Sequence, residues 1–300
     1  MAYDFSISSA VLPNGRTAYY AKLNGSTEPK FIIGYRTFYL DNFGLYNTTV
    51  NSNQVYVPDD YKGAHGFWAH FIFPTAKAES RGSFYCLNTY DRAQFTFSFM
   101  QYAAHVPNGD FVLFFRKLLA LPNAKEYFPK ITLHDGHIHY RNENNTLTRL
   151  EENVSTQRLM NYLNPTLADV ENQELICSAR MVHWAVNDPA HRKIQVETAI
   201  DHFKNNMAAY HERFGLDNAP AKICQMICDI RHQGRGKNDR IANAIDTNGD
   251  YEKAFRNLCT IGAVNYQTRI NTVKNTIREL EDEGIFLKKY KASTNSFVNI

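Results

Sequence analysis

The sequence of 300 residues lacks several features that define large classes of proteins. It has only five cysteines, at positions 86, 177, 224, 228 and 259, and an odd, scattered set is not typical of a disulfide framework. No apolar run reaches the roughly 18 residues that a membrane span requires, so membrane insertion is not expected. The net charge is only +3, which is too small to indicate binding of nucleic acid.

The N-terminus lacks the features of a secretory signal peptide. Residues 1–6, Met-Ala-Tyr-Asp-Phe-Ser, contain neither a basic stretch nor the start of a long apolar stretch. The sequence therefore predicts synthesis in the cytoplasm without a signal peptide. If the substrate lies outside the membrane, another system has to deliver the protein to it.

What the chain does contain is an ordinary globular composition with many aromatic residues. Hydrophobic residues make up 44% and charged residues 21%, which excludes a disordered chain. Aromatics reach 13%, with 18 Tyr and 20 Phe. This enrichment is typical of a Phe-rich core, and it also suits a carbohydrate cleft, because sugar rings stack on aromatic faces.

The order of predicted elements indicates an α+β fold with a cleft between two lobes. Residues 1–62 are β-rich, with predicted strands at 17–21 and 31–38 and turn signals at Asn14-Gly15 and Asn24-Gly25. From about residue 155 the pattern is helical. The predicted helices lie near 110–121, 168–186, 190–214, 219–231, 237–246, 250–262 and 264–283.

Within residues 64–105 the spacing of apolar residues changes from helical to strand-like. Apolar residues with helical spacing in 64–80 place Glu79 on the same face as Trp68, and Pro74 either kinks this helix or begins it. Residues 84–97 then alternate as a strand does. Ser98 is predicted to cap a helix over 100–105.

Two carboxylates flank this strand, and their placement suits glycosidic hydrolysis. Glu79 ends the apolar segment, Asp91 lies at the tip of a predicted hairpin, and Thr96 follows on the outgoing strand. One acid protonates the leaving oxygen while a second carboxylate activates a water. Burial on an apolar face is expected to raise the pKa of Glu79, as a general acid requires. Alternatively, Glu79 marks a solvated helix end and Asp91 is an ordinary turn residue.

The ordered pattern resembles the active-site segment of the lysozyme superfamily, in particular phage-type lysozymes and bacterial chitosanases. The match covers residues 76–105, about a tenth of the chain: Glu79, then Tyr90-Asp91-Arg92-Ala93, Thr96 and Ser98-Phe99-Met100-Gln101. The resemblance implies that Glu79 is the general acid, that Asp91 is the base and that Thr96 orients the water. It also implies that Tyr90, Ser98 and Gln101 line the substrate site.

The resemblance further implies a mostly helical, two-lobed domain over residues 63–300, with residues 1–62 as a separate β-rich segment. The active-site lobe would span 63–150 and the helical lobe 151–300. Segments of the helical lobe resemble a second cleft wall, which would place four residues on the substrate: His183, Arg231, His232 and Gln233. An interior position for His183 and a cationic helix end for residues 231–235 are the alternatives.

The function that follows is cleavage of the peptidoglycan backbone by an inverting acid–base reaction, acting in the periplasm or cell wall. No metal or cofactor is required, and the alternating His134, His137 and His139 have no clear partner ligands. Expected partners are peptidoglycan strands, a phage or secretion machinery that delivers the protein, and an immunity protein. The alternatives are a chitosanase of the same fold, or a non-catalytic glycan-binding or phage structural module.

Overall fold

The computed structural model describes residues 2–300. The chain is 45% helical and 20% strand, with an antiparallel sheet, which agrees with the predicted α+β class. Two compact units form: the first comprises residues up to Val55 together with Ser83–Thr198, and the second comprises Tyr56–Gly82 and Ala199–Ile300. Each unit is therefore assembled from two separate stretches of the chain.

These bounds differ from the predicted divisions at residues 62 and 150. Strand pairing continues from Tyr46 to Asn88, so the β-rich N-terminal segment shares one sheet with the strands that follow Ser83. Residues 56–82 interrupt this sheet in sequence and pack with the C-terminal helices of the second unit. Long-range packing, which a local pattern does not reveal, sets the division.

Within residues 2–300, twelve strands form three antiparallel sheets. They are β1 (Phe5–Val11), β2 (Thr17–Leu23), β3 (Phe31–Tyr39), β4 (Asn42–Tyr46), β5 (Leu87–Asn88), β6 (Thr96–Phe97), β7 (Tyr102–Ala103), β8 (Ile131–His134), β9 (His137–Arg141), β10 (Leu147–Arg149), β11 (Lys288–Lys291) and β12 (Ser296–Asn299). The main sheet has the order β1-β2-β3-β4-β5-β6-β7. The strands predicted at 17–21 and 31–38 are confirmed.

Within residues 2–300, twelve α-helices and two short 3₁₀ helices, Pro58–Asp60 and Ala292–Thr294, make up the rest of the regular structure. The α-helices are named in chain order. They are α1 (Lys62–His65), α2 (Phe67–Phe71), α3 (Phe73–Ser80), α4 (Asp110–Leu119), α5 (Ala124–Tyr127), α6 (Gln157–Leu163), α7 (Asn172–Asn187), α8 (Pro189–Phe214), α9 (Ala221–Gln233), α10 (Asn238–Ile245), α11 (Tyr251–Leu258) and α12 (Ala263–Asp282). The helices predicted from residue 168 onward are confirmed within a few residues. None of the helices within residues 2–300 has both the length and the apolar composition needed to cross a bilayer.

The segment after the Asp91 turn departs from its predicted structure. Residues 96–97 and 102–103 form only short strands, and the helix expected over 100–105 is absent from this described segment. Positive φ values of 55° at Gln94, 103° at Ser98 and 55° at Gln101 bend the backbone three times, and neither a strand nor a helix accommodates them. Phe95, Phe97 and Phe99 are all fully buried, so the aromatic enrichment serves the core here.

Candidate functional site

Glu79 lies in the last turn of α3, in the second unit. Pro74 occupies the first turn of this helix, which confirms that the helix begins there instead of kinking. Arg81 follows in the left-handed conformation at φ 58°, and the amide of Gly82 donates to the carbonyl of Ala76 at 3.1 Å, closing the helix. The Glu79 side chain is only 14% exposed.

Two cations hold the carboxylate of Glu79. Oε1 lies 2.7 Å from Nη1 of Arg269 on α12 and 3.2 Å from Nε2 of His232 on α9. Both partners are largely buried, with 9% and 14% of their side chains exposed. Because these side chains are shielded from water, the Coulomb attraction within each ion pair is stronger than between charges on a protein surface.

Asp229 extends this cluster deeper into the second unit. Its Oδ1 accepts from Nη2 of Arg269 at 2.7 Å and from the hydroxyl of Thr75 at 3.1 Å. Its Oδ2 pairs with the fully buried guanidinium of Arg235. We call Glu79, Asp229, His232, Arg235 and Arg269 the charge cluster. When His232 is protonated, three cations face two carboxylates.

Local sequence explains how α9 and the residues directly after it supply three members of the charge cluster. Asp229 and His232 lie three residues apart and share one helix face. Gly234, at φ 72°, ends the helix in the left-handed conformation, which allows Arg235 to turn back toward Asp229. Gly262 leaves room for this return, because a Cβ there would lie 2.9 Å from Cβ of Arg235.

The charge cluster reverses the pKa shift that was expected for Glu79. Burial raises the pKa of this carboxyl, but the hydrogen bond from His232 and the charge of Arg269 outweigh it and lower the pKa to about 2. For His232, burial lowers the pKa, and the hydrogen bond and charge of Glu79 raise it above its ordinary value. The prediction of a raised Glu79 pKa is wrong, because it considered desolvation without the two cations.

Asp91 lies in the first unit, in the turn between β5 and β6, so the predicted hairpin is confirmed. Its Oδ1 accepts from the amide of Ala93 at 2.9 Å, and its carbonyl accepts from the amide of Gln94 at 2.9 Å. This is an Asx turn. One side-chain oxygen is thus engaged in shaping the turn, and the residue is half-buried.

The neighbouring predicted residues also lie in the first unit. Thr96 is buried on β6 opposite Asn88, and half-buried Tyr90 lies beside Asp91 with its ring centroid 5.9 Å from that of Tyr39. Ser98 is fully buried, and its hydroxyl accepts from the amide of Met100 at 3.1 Å, which makes a turn and not the predicted helix cap.

Gln101 and His183 serve local structure. The side-chain amide of Gln101 donates to the carbonyl of Ser98 at 3.1 Å. His183 is buried, with Nδ1 3.0 Å from the hydroxyl of Tyr127 and its ring packed against Phe5 and Phe31. Its environment agrees with the alternative interpretation, an interior position.

Of the predicted residues on the second wall, the structure brings only His232 into contact with Glu79. Arg231 donates to the carbonyl of Gly236 at 3.2 Å, and Gln233 is half-buried at the end of α9. Across residues 2–300 no cluster of three His, Cys, Asp or Glu side chains could hold a metal ion. The sequence analysis missed the roles of Asp229 and Arg269. The sequence signal that could have revealed them is a lone charged residue on the largely apolar face of each helix, α9 and α12.

Comparison with known proteins gives no relative. No family model matches the chain, and no curated protein and no solved structure matches it either. The resemblance to the lysozyme superfamily therefore stays a prediction.

Proposed function

We propose that this protein is a lysozyme-like hydrolase that cleaves the glycan backbone of peptidoglycan, with Glu79 and Asp91 as its carboxylate pair. The observation that carries the proposal is the placement of Glu79. This nearly buried carboxylate closes a helix, and the next elements in the chain are three short antiparallel strands with Asp91 in their first turn. A nearly buried carboxylate with a strongly shifted pKa is a feature that clusters at functional sites.

In the proposed reaction Glu79 is the acid and Asp91 the base. In the free protein the proton shared by Glu79 and His232 resides on His232, because the pKa of Glu79 is lowered and that of His232 raised. Glu79 takes this proton from Nε2 of His232, 3.2 Å away, and passes it to the bridging oxygen as the glycosidic bond breaks. Asp91 removes a proton from the attacking water, which Thr96 orients, and the anomeric centre is inverted.

The charges of the second unit favour an anionic glycan over a cationic one. The charge cluster holds three cations against two carboxylates when His232 is protonated. Peptidoglycan carries carboxylates, which a cluster of net positive charge attracts, whereas chitosan carries ammonium groups, which it repels. The proposed place of action is the periplasm or cell wall, reached through a phage lysis system or a secretion machine. A cleft-binding immunity protein is the partner that fits a secreted effector.

A second candidate is a non-catalytic glycan-binding module. The specific observation in its favour is the pair of cations on Glu79, at 2.7 and 3.2 Å, since a carboxylate so firmly ionised is a poor proton donor. Under this candidate the charge cluster fixes the packing of α3, α9 and α12 and has no chemical role.

A muropeptide assay separates the two candidates. Isolated sacculi are incubated with the wild type and with the Glu79→Gln and Asp91→Asn variants, and the products are analysed by mass. The control is Glu279→Gln, which removes an exposed carboxylate on α12 that pairs with Lys77. We expect new reducing ends from the wild type and the control, and at least a hundredfold fewer from the other two.

Other outcomes are equally informative once circular dichroism shows that every variant is folded. Binding of sacculi without products from the wild type contradicts the hydrolase proposal and supports the second candidate. Products from chitosan but not from sacculi favour the chitosanase alternative. Undiminished cleavage by Glu79→Gln removes Glu79 from the mechanism.

A further inference from the structure

A row of four tyrosines follows the β3–β4 hairpin to the Asp91 turn, within the first unit. Tyr35 and Tyr39 lie four residues apart on β3 and share one face of the sheet. Tyr46 pairs directly with Tyr35 across the hairpin, with ring centroids 5.9 Å apart. Tyr90 follows, with its ring centroid 5.9 Å from that of Tyr39. We call these four residues the tyrosine stripe.

Gly44 explains why Tyr90 lies beside strands that precede it by so many residues. It is on β4, two residues before Tyr46 and on the same face. A Cβ at this position would lie 2.7 Å from the amide nitrogen of Tyr90 and 2.8 Å from Thr89. Only a glycine allows this backbone to rest directly on β4. The tyrosine stripe is thereby joined to the turn that contains Asp91.

Arg16 gives the tyrosine stripe a positive charge. Its guanidinium carbon lies 3.9 Å above the centre of the Tyr35 ring and 5.1 Å from that of Tyr46, whose hydroxyl accepts a hydrogen bond from it. Among residues 2–300, no carboxylate forms a salt bridge with Arg16. Arg36, in the same sheet, differs in this respect because it pairs with Asp169 at 2.8 Å.

The hairpin tip keeps the far end of the tyrosine stripe in solvent. Leu40 and Asp41 form the turn with φ values of 45° and 65°, a left-handed conformation that costs free energy in residues other than glycine. Tyr39 next to them is 54% exposed. Non-glycine residues in such conformations cluster at functional sites.

We propose that the tyrosine stripe and Arg16 bind a glycan strand that bears carboxylates and lead it to the Asp91 turn. The exposed ring of Tyr39 offers a face on which a sugar ring can stack. The phenolic hydroxyls of the tyrosine stripe can exchange hydrogen bonds with sugar hydroxyls. A guanidinium without a carboxylate partner recognises a carboxylate on the ligand. This inference rests on the proposed function and assigns a role to the N-terminal strands.

The test measures binding without cleavage. The full-length Glu79→Gln protein and its double variants with Tyr39→Ala or Arg16→Gln are sedimented with sacculi, and each is titrated with neutral chito-oligosaccharides. Tyr39→Ala is expected to weaken both interactions about tenfold, because it removes a stacking face. Arg16→Gln is expected to weaken binding to sacculi about tenfold at low salt and to leave the neutral oligosaccharide unaffected.

Two matched controls accompany these variants. Arg36→Gln removes a guanidinium from the same sheet that already has Asp169 as its partner, and Tyr20→Ala removes a tyrosine whose ring is covered by Lys30 at 4.5 Å. Both controls are expected to bind within twofold of the parent. Tyr39→Leu, which keeps the bulk but loses the ring, replaces Tyr39→Ala if the latter does not fold.

The outcomes for this inference and for the proposed function are distinct. Unchanged binding by the Tyr39 and Arg16 variants, or equal losses in Arg16→Gln and Arg36→Gln, overturns the tyrosine stripe as a glycan site. Binding that depends on Tyr39 and Arg16 supports it, even if the wild type releases no muropeptides. In that last case only the hydrolase proposal fails.

Discussion

Glu79 and Glu174 are both nearly buried, yet their ionisation is opposite. Glu174 on α7 of the first unit is fully buried, and one of its oxygens accepts from the hydroxyl of Thr89 while the other has no partner. Burial raises its pKa to about 8, so it is largely neutral at pH 7. Glu79 in the second unit has a pKa of about 2 and is ionised.

The difference shows that neighbouring charges, and not burial alone, decide the state of a buried carboxyl. Desolvation raises the pKa of both residues. Two cations within 3.2 Å overcome it at Glu79. At Glu174 the neutral hydroxyl of Thr89 and neutral backbone groups do not overcome it. Each of the following predictions tests the environment of Glu79 or of Glu174.

Removal of Arg269 has the largest expected effect. Arg269→Gln leaves Glu79 and Asp229 each with one cation fewer in a nearly dry environment, and loss of one partner from a buried ion pair costs about 3–5 kcal/mol. Urea unfolding at pH 7 measures this loss in the free energy of unfolding.

Lys77→Ala is the matched control, because it also breaks an ion pair between α3 and α12. Lys77 and Glu279 are 39% and 59% exposed, so the expected cost is under about 1 kcal/mol. A similar loss in the two variants would contradict the stabilising role of the charge cluster.

Acid titration tests the Glu79 side of the comparison. Because its pKa is lowered from 4.5 to about 2 on folding, Glu79 stabilises the native state by about 3 kcal/mol above pH 4.5. That contribution is lost as the pH falls from 4.5 towards 2. Urea unfolding of the wild type and of Glu79→Gln between pH 6 and 3 should show the wild type losing stability more steeply. Parallel curves would refute the assigned shift.

Glu174 should show the opposite sign in a separate pH window. Its pKa is raised from 4.5 to about 8 on folding, so the native state binds the extra proton and loses stability as the pH rises. Between pH 4.5 and 7 the wild type should lose about 3 kcal/mol that Glu174→Gln retains. The same unfolding series, extended to pH 8, measures this. A flat difference between the two proteins would mean that Glu174 is ionised.

The sequence was sufficient to predict the C-terminal helices and the strands near the N-terminus. Helices α7 to α12 were predicted within a few residues, because long amphipathic periods end at clear signals such as Pro189, Gly234 and Gly249. The segment 94–105 was mispredicted because Gln94, Ser98 and Gln101 adopt positive φ, a conformation that these residue types do not signal.

The candidate site was predictable only in part. Glu79 and Asp91 were found from their order along the chain, and their placement at a helix end and in a hairpin turn is confirmed. The ionisation of Glu79 depends on Arg269, which lies far along the chain and meets Glu79 only through packing of α12 on α3. The tyrosine stripe likewise depends on Gly44, whose close contact with Tyr90 appears only after folding.

The order of the main sheet has a consequence for biosynthesis. Its seven strands lie in the order of the sequence, with β1 and β7 at the edges. Every pairing except that of β4 with β5 therefore closes a short loop. Strands β1 to β4 need no residue beyond Tyr46 to pair with one another. A ribosome that has released about the first fifty residues has therefore already exposed a complete four-stranded template, onto which later strands add in turn.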